Sequence, residues 1–244
     1  MSSTEERLVL GPRAVRETLQ SRRTEVHLVY VQRDGRVDLS ALADDARRRG
    51  YRVEPRDRAE LDALAGAERH QGAIAVVGAY PYVPLEAILT EAPAPPLLLA
   101  LDQITDPHNF GALIRSAVVF GVDGIVTLTN RAAPVTAAVV RTSAGATEHA
   151  RIARVVNLAR ALAFLADEGL QVVGLDGAGP VRIDSLPDAP TGRVLVVGAE
   201  GKGLRRLVRE RCALLARIPQ SGPVASLNAS VAGAIAMYAA STRR

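Results

Sequence analysis

Residues 193–204 read RVLVVGAEGKGL, an apolar run that passes into a glycine-rich loop and then into a helix. The run Arg193–Gly198 predicts a buried strand. Similar runs occur at Leu97–Leu101, Gly124–Leu128, Arg151–Val155, Leu170–Leu175 and Ala213–Ile218. Helical stretches separate them, at Gly111–Phe120, Val135–Ser143, Leu158–Glu168, Leu204–Glu210 and Asn228–Ser241. Apolar strands that alternate with helices are typical of a parallel sheet covered on both faces, so the sequence predicts an α/β fold.

The chain before this region predicts a smaller α/β unit. Its strands are expected at Val26–Val31, Arg52–Val53 and Ala73–Val77, and its helices at Ala14–Ser21, Leu39–Arg49 and Arg58–Leu64. Residues 79–96 contain five prolines, which stop helices and stiffen a chain, around a short predicted helix at Leu85–Thr90. We therefore expect a first domain at residues 1–78, a proline-rich linker at 79–96 and a second domain at 97–244.

The composition restricts the class of protein. The 244 residues are 48% hydrophobic and 23% charged, which is enough apolar material for an ordinary core. No run approaches the roughly 18 apolar residues that span a bilayer, and the N-terminus MSSTEERLVL lacks the order of a signal peptide. We expect a cytoplasmic protein that does not contact a membrane.

Metal and disulfide chemistry are not expected. The single cysteine, Cys212, has no partner for an intrachain disulfide, and the four histidines are scattered without metal-ligand spacing. We expect Cys212 to be a small, buried or half-buried side chain. The net charge of +4 is compatible with a polyanionic partner, although the signal alone is weak.

The loop after the first strand of the second domain carries one candidate site. Asp106-Pro107 predicts a turn, and Asn109 lies where we expect the N-cap of the next helix. Arg115 follows on a largely apolar helix, where a cation is expected to face a ligand or a partner. A simple helix cap for Asn109 and a solvated cation for Arg115 are the alternatives.

The glycine-rich loop does not match a phosphate-binding loop. A P-loop has four residues between its first glycine and a Gly-Lys pair, followed by Ser or Thr. Here only two residues separate Gly198 from Gly201, and Gly203 occupies the hydroxyl position. Hydrolysis of nucleoside triphosphates is therefore disfavoured. Glu200 would repel a phosphate, but it suits a cationic ligand or helper side chain.

A third candidate loop precedes the last helix. Either Ser226 or Asn228 could cap that helix, but both together with Ser230 exceed what one cap requires. Small residues follow at positions 232, 233, 234 and 236 and allow another backbone to come close. They predict a tightly packed helix at a subunit or domain contact.

Three motifs in these loops resemble those of one family. They are N-x-G-x-x-x-R at 109–115, V-x-G-x-E-x-x-G-L at 196–204 and I-P-x-x-G-x-x-x-S-L-N-x-S at 218–230. In order and spacing they resemble the SpoU (TrmH) family of SPOUT RNA methyltransferases. Residues 9–15 and 70–75 also resemble the boundaries of the substrate-binding domain of its 23S rRNA guanosine 2'-O-methyltransferases. The resemblance implies an L30e-like RNA-binding domain followed by a catalytic α/β domain with a C-terminal trefoil knot.

The resemblance also implies a cofactor, partners and roles. The cofactor would be S-adenosyl-L-methionine (AdoMet), and the partners would be RNA, 23S rRNA first, and a second copy of the chain. The implied reaction centre consists of Asn109, Arg115, Glu200, Ser226 and Asn228. The implied cofactor contacts are Gly198, Gly201, Ile218, Leu227 and Asn228. Family members are thought to use the counterpart of Arg115 in deprotonating the ribose 2'-hydroxyl. Because the pKa of arginine exceeds about 12, holding an RNA phosphate and stabilising a developing alkoxide is an equally reasonable role.

The sequence allows several alternatives for the target and the function. The target, expected to be a guanosine in the peptidyl-transferase loop, could instead be another rRNA or tRNA site, including an adenosine of the antibiotic-resistance type. A non-catalytic RNA-binding assembly factor would use the same surfaces. A nucleotide-dependent hydrolase or dehydrogenase lacks the required glycine fingerprint. Four arginines could form a solvated helix face or contact RNA, namely Arg205, Arg206, Arg209 and Arg211.

Overall fold

The structure, a computed structural model, describes residues 6–21, 23–35, 38–66, 68–223 and 226–242. Within these ranges the strands are β1 Arg7–Leu10, β2 Val26–Gln32, β3 Val53–Arg56, β4 Ala73–Val77, β5 Leu97–Asp102, β6 Gly124–Leu128, β7 Ile152–Val155, β8 Gln171–Leu175, β9 Val181–Arg182, β10 Arg193–Gly198 and β11 Leu214–Arg217. The helices are α1 Pro12–Gln20, α2 Ser40–Arg48, α3 Arg58–Ala65, α4 Leu85–Glu91, α5 Pro107–Val119, α6 Ala137–Thr142, α7 Leu158–Asp167, α8 Arg206–Arg209 and α9 Ala229–Ser241. Short 3-10 turns occur at Ala146–Glu148 and Ile183–Ser185.

Contacts divide the chain into two compact units. Unit 1 is Met1–Pro81 together with Val135–His149, and Unit 2 is Tyr82–Pro134 together with Ala150–Arg244. The sequence places residues 135–149 inside the second domain, whereas their contacts are with Unit 1. The reason is a buried polar network in Unit 1. Glu148 accepts hydrogen bonds from the Thr24 hydroxyl, at 2.5 Å, and from the Arg7 guanidinium, at 3.3 Å.

Unit 1 contains a four-stranded sheet in the order β1-β4-β2-β3. Strands β2 and β3 are parallel, and β4 is antiparallel to both of its neighbours. Strand β1 is absent from the sequence prediction, because it has only four residues and depends on pairing with β4. Helix α1 begins at Pro12, two residues earlier than predicted, since proline fits the first helical turn.

Unit 2 contains a seven-stranded sheet in the order β7-β6-β5-β10-β8-β11-β9. Every pairing in it is parallel. Strands β5 and β6 are buried along their whole length, which explains their unbroken apolar sequences. The predicted α/β fold with a parallel sheet is confirmed. No helix in the described part of the chain is long and apolar enough to cross a membrane.

The last helix packs tightly on α5 of its own chain. A Cβ placed on Gly233 of α9 would lie 2.4 Å from a methyl carbon of Leu113 on α5. Only glycine allows this approach without a shift of the leucine. The small residues predicted to serve a subunit or domain contact therefore include one, Gly233, that serves packing within Unit 2.

Candidate active site

The site begins where two neighbouring strands of Unit 2 end. Asp102, the last residue of β5, lies directly opposite Gly198, the last residue of β10. The loops that follow these residues therefore start side by side. In parallel α/β sheets, ligands bind beyond the carboxyl ends of the strands.

The first turn of α5 presents Asn109 to this region. The side chain of Asp106 caps the helix by accepting hydrogen bonds from the backbone N–H groups of His108 and Asn109, both at 3.1 Å. Pro107 occupies the first helical position, which suits its fixed φ and missing N–H. The prediction that Asn109 is the N-cap was therefore wrong. Because Asp106 does the capping, the amide of Asn109 is available for other contacts.

Asn109, Glu200 and Asn228 form a hydrogen-bonded triad. Nδ2 of Asn228 donates to Oδ1 of Asn109 at 2.9 Å and lies 3.5 Å from Oε2 of Glu200. Nδ2 of Asn109 donates to the same carboxylate oxygen at 3.3 Å. Asn109 is 9% exposed, whereas Glu200 lies at the surface. The triad thus joins the three predicted loops and leaves one carboxylate facing outward.

Asn228 also caps α9. Its Oδ1 accepts hydrogen bonds from the Ser230 N–H at 2.9 Å, from the Ser230 hydroxyl at 2.6 Å and from the Val231 N–H at 3.4 Å. The cap and the triad use opposite ends of one amide, which only an Asn or Gln side chain supplies.

The glycine-rich loop is closed on itself. The Gly203 N–H donates to the Ala199 carbonyl at 2.8 Å. A Cβ on Gly198 would lie 2.3 Å from the carbonyl carbon of Gly203. Gly201 and Gly203 have φ angles of 74° and 62°, which favour glycine. The backbone of this loop is therefore fixed by its glycines, and Glu200 extends from it.

An ion pair with a buried carboxylate anchors the end of the same loop. Asp102, whose side chain is fully buried, accepts hydrogen bonds from the backbone N–H of Arg205 at 2.9 Å and from its Nε at 2.7 Å. The sequence interpretation did not include this pair. The available signal was a carboxylate at the end of an otherwise apolar strand, since buried acids are rare without a partner.

The other predicted residues lie apart from the triad. Arg115 is exposed on α5 and has no ion pair or hydrogen bond with a described residue. It lies six residues after Asn109, about 9 Å along the helix axis. Ser226 is exposed before α9, and within the described chain it forms no hydrogen bond with the triad. Ile218 and Leu227, both half-buried, place apolar side chains in the loops that precede α9.

The arginines near α8 are mostly paired. Arg205 pairs with Asp102, Arg206 pairs with Glu210 directly after the same helix, and Arg209 pairs with Asp176. Arg211 is exposed. Carboxylates of the chain thus neutralise most of this cluster, which favours a solvated helix face over RNA contact.

A cleft of about 380 Å³ adjoins the triad and adds basic groups that the sequence interpretation missed. Its lining includes Asn109, Glu200, Lys202 and Arg131. Arg131 has a φ angle of 59°, which is uncommon for a side chain of this size. Such a conformation is a backbone signal that sequence periodicity does not carry.

No group of His, Cys, Asp or Glu side chains in the described ranges is arranged to hold a metal ion. Burial raises the pKa of the Cys212 thiol to about 12, and Sγ lies 3.4 Å from the Val208 carbonyl oxygen. The thiol therefore stays protonated near neutral pH.

Comparison with known proteins gives a consistent result along the whole chain. Residues 96–238 match the SpoU rRNA Methylase family, and residues 8–83 match the RNA 2'-O ribose methyltransferase substrate-binding family. An uncharacterized tRNA/rRNA methyltransferase of Mycolicibacterium gilvum is 43% identical over 94% of this chain and 74% of its own length. The TrmH family tRNA/rRNA methyltransferase YacO of Bacillus subtilis is 38% identical over 94% of this chain and 93% of its own. The solved structure of the SpoU methyltransferase AviRb of Streptomyces viridochromogenes, in complex with AdoMet, is 27% identical, with a TM-score of 0.82 over 98% of this chain and 90% of that one.

Proposed function

Since this chain belongs to the SpoU rRNA methylase family and is an AdoMet-dependent RNA 2'-O-methyltransferase, we propose that it methylates a guanosine ribose in the peptidyl-transferase loop of 23S rRNA. The observation that carries the catalytic part is the triad of Asn109, Glu200 and Asn228 at the ends of two parallel strands. The choice of target rests on the likeness of residues 9–15 and 70–75 to the substrate-binding domain of 23S rRNA enzymes.

The residues around the glycine-rich loop fit AdoMet. A Cβ on Gly198 would meet the backbone of Gly203, and Gly201 has a positive φ, so neither position carries a side chain that would cover the backbone groups beside it. Half-buried Ile218 and Leu227 offer apolar surface for a flat base. When bound, AdoMet supplies an electrophilic methyl group on a positively charged sulfonium. The carboxylate of Glu200 has the sign that suits a cation.

The triad acts by positioning. Because the sulfonium charge disappears during methyl transfer, alignment of the nucleophile with the methyl group contributes more than electrostatic stabilisation of the cation. Asn109 and Asn228 orient the ribose and the cofactor loop. Glu200 accepts from both amides and holds their orientation, and exposed Ser226 adds a hydrogen bond to the bound substrate.

Arg115 contacts the RNA substrate. An exposed guanidinium with which no described carboxylate pairs can hold a phosphate and stabilise the alkoxide that forms at the 2'-oxygen. Its separation from the triad of its own chain implies that RNA, or a second subunit, brings the two together.

We further propose that the protein is a homodimer. On α9, Val231, Ile235 and Tyr238 form an exposed apolar stripe at helical spacing, 46%, 36% and 59% exposed. Val119 on α5 is 70% exposed and lies one turn after Arg115. Covering this face with a second copy would bury the stripe and place Arg115 at the interface.

The trefoil knot and the location in the cell are two further proposals. The C-terminal trefoil knot implied by the family is supported by the sheet order, because β10 lies between β5 and β8 and the chain must return to the middle of the sheet. The cytoplasm is the proposed location, since the RNA substrate is made there.

The test is transfer of labelled methyl from AdoMet to unmodified 23S rRNA and tRNA transcripts, followed by mapping of ribose methylation. We expect one 2'-O-methylguanosine in the peptidyl-transferase loop. Label elsewhere, or on tRNA alone, would overturn the proposed target. In the same assay, Arg115→Ala should lose methyl transfer by far more than the roughly tenfold loss of RNA affinity expected for one phosphate contact. Equal loss of both would assign Arg115 to binding, and no transfer to any RNA would favour a non-catalytic assembly factor.

A further inference from the structure

Unit 1 contains a cleft of about 620 Å³, within the range of about 300–1,000 Å³ that is usual for ligand pockets. The end of β1, the start of α1, residues 68–71 and the end of α6 line it. Three arginines face this space, Arg13, Arg69 and Arg141, together with one acid, Glu68. We refer to it as the arginine cleft.

Among the described residues of Unit 1, positive charge without a carboxylate partner is concentrated at this cleft. Most of the described arginines of the unit pair with carboxylates, namely Arg7, Arg33, Arg47, Arg48, Arg49, Arg52, Arg56 and Arg58. Arg13 and Arg69 are exposed and have no carboxylate partner among the described residues. Arg16 shares this property and lies on the same helix as Arg13. The cleft thus has an excess of positive charge that no described carboxylate neutralises.

The loop that carries Arg69 is held in place by its neighbour. His70, which is 5% exposed, contacts Asp62 through Nε2 at 2.8 Å. Its Nδ1 accepts a hydrogen bond from the Gly72 N–H at 3.0 Å. Hydrogen bonds on both sides of a buried ring fix the backbone beside Arg69. A guanidinium on a fixed loop loses less freedom on binding an anion than one on a mobile loop.

A second cleft that the same loop lines has the opposite balance of charge. It shares Glu68 and Arg69 with the arginine cleft, but Asp34 and Asp62 add two further acids and Arg58 only one base. An anionic chain would therefore be attracted to the arginine cleft and not to this neighbour.

We propose that the arginine cleft binds the sugar–phosphate backbone of the RNA substrate, with Arg13 and Arg69 contacting phosphates. The inference deepens the proposed function and rests on it for the class of ligand. Guanidinium groups bind phosphate oxygens in a bidentate manner, and such contacts fix the position of RNA without reading its sequence. Arg141 keeps its pairing with Glu68 and shapes the wall of the cleft.

The test compares two double variants of the full chain that change the net charge equally. Arg13→Gln with Arg69→Gln removes the free charges of the cleft. Arg47→Gln with Arg48→Gln removes two exposed charges from α2, away from the cleft. Filter binding to unmodified 23S rRNA and tRNA transcripts over a salt series gives the affinity and its salt dependence, and methyl transfer is measured in parallel.

We expect the cleft variant to bind about 100-fold more weakly, roughly tenfold for each charged contact. The slope of log K against log salt should fall by about 1.4, or 0.7 for each phosphate contact with single-stranded RNA. The α2 variant should bind like the wild type. Equal weakening in both variants, unchanged binding in the cleft variant, or no binding of either transcript by the wild type would overturn the inference. Failure of the proposed function would instead appear as wild-type RNA binding without methyl transfer.

Discussion

At the scale of single residues, Asn228 has two separable tasks. Its Oδ1 caps α9, and its Nδ2 donates to Asn109 in the triad. Asn228→Asp keeps the acceptor and removes the donor. It also sets a second carboxylate beside Glu200, where Nδ2 now lies 3.5 Å from that carboxylate.

Asn228→Asp should therefore remain nearly as stable as the wild type and lose methyl transfer by at least about 100-fold. Asn228→Ala should lose both the activity and about 1 kcal/mol of unfolding free energy, since no cap remains. Urea unfolding and single-turnover methyl transfer measure the two effects. If the Asn228→Asp enzyme were active, methyl transfer would not need the hydrogen bond that Nδ2 of Asn228 donates.

A substitution at Asp102 tests the ion pair that anchors the glycine-rich loop. Its buried carboxylate holds both the backbone and the guanidinium of Arg205, next to the glycine-rich loop. Asp102→Asn weakens this anchor and leaves the guanidinium without its counter-charge. We expect AdoMet to bind at least about tenfold more weakly, because the loop backbone is no longer fixed. Isothermal titration with AdoMet measures the change.

The control for Asp102→Asn is Asp184→Asn in the same unit. Asp184 pairs with Arg182 at the surface, where both side chains are about half exposed. Exposed pairs contribute little, so AdoMet affinity should be unchanged. If both variants bound AdoMet as well as the wild type, the pair of Asp102 and Arg205 would have no part in shaping the cofactor loop.

Among the strands and helices, the sequence predicts best those that a local sequence pattern determines. The strands Gly124–Leu128 and Arg193–Gly198 have the predicted bounds, because each is a run of mainly apolar residues. Strand β1 has only four residues and is defined by its pairing with β4, which lies more than 60 residues later. Strand β9 has two residues and pairs only with β11. Such nonlocal pairing leaves no periodicity in the sequence.

The segment of α6 and the following 3-10 turn is held in Unit 1 by Glu148. Its side chain is fully buried and pairs with Arg7, which is 10% exposed and stacks over the Tyr80 ring at 5.4 Å. Glu148→Gln leaves a buried guanidinium without its counter-charge, so it should lower the free energy of unfolding by about 3 kcal/mol. Chemical unfolding followed by circular dichroism measures the loss.

Removing both charges provides the control for this network. Arg7→Met combined with Glu148→Leu replaces the buried pair with apolar side chains of similar volume, which is often neutral or stabilising. The double variant should therefore recover most of the stability lost in Glu148→Gln. A double variant as unstable as the single one would show that packing, and not the unpaired charge, determines the loss.

At the scale of the whole molecule, sequence motifs predict which loops contribute to the site but not how they meet. The motifs select Asn109, Glu200 and Asn228, and their contact depends on β5 lying beside β10, which are more than 90 residues apart. The cap at Asp106 and the anchor at Asp102 are carboxylates whose partners only the folded chain defines. The position of Arg115 away from the triad likewise depends on the helix face it occupies.

A substitution in the exposed stripe on α9 tests the proposed dimer. Ile235→Glu places a carboxylate in the middle of the apolar face, where burial against a second copy would cost several kcal/mol. We expect this variant to sediment as a monomer and to lose methyl transfer by at least about 100-fold. Leu207→Glu is the matched control, since Leu207 is 57% exposed on α8 of the same unit and away from the stripe. It should remain dimeric and active.

Dilution of the wild-type chain separates assembly from side effects of the substitution. Because Arg115 lies one turn from Val119 on the same face, methyl transfer should need the second copy as well as the RNA. Specific activity should therefore fall in proportion to the fraction of dimer measured by sedimentation at each concentration. The diluted wild type or the Ile235→Glu variant could instead be active as a monomer. Arg115 and the triad of one chain would then be sufficient for a complete site. The RNA alone would then have to join them across about 9 Å of α5.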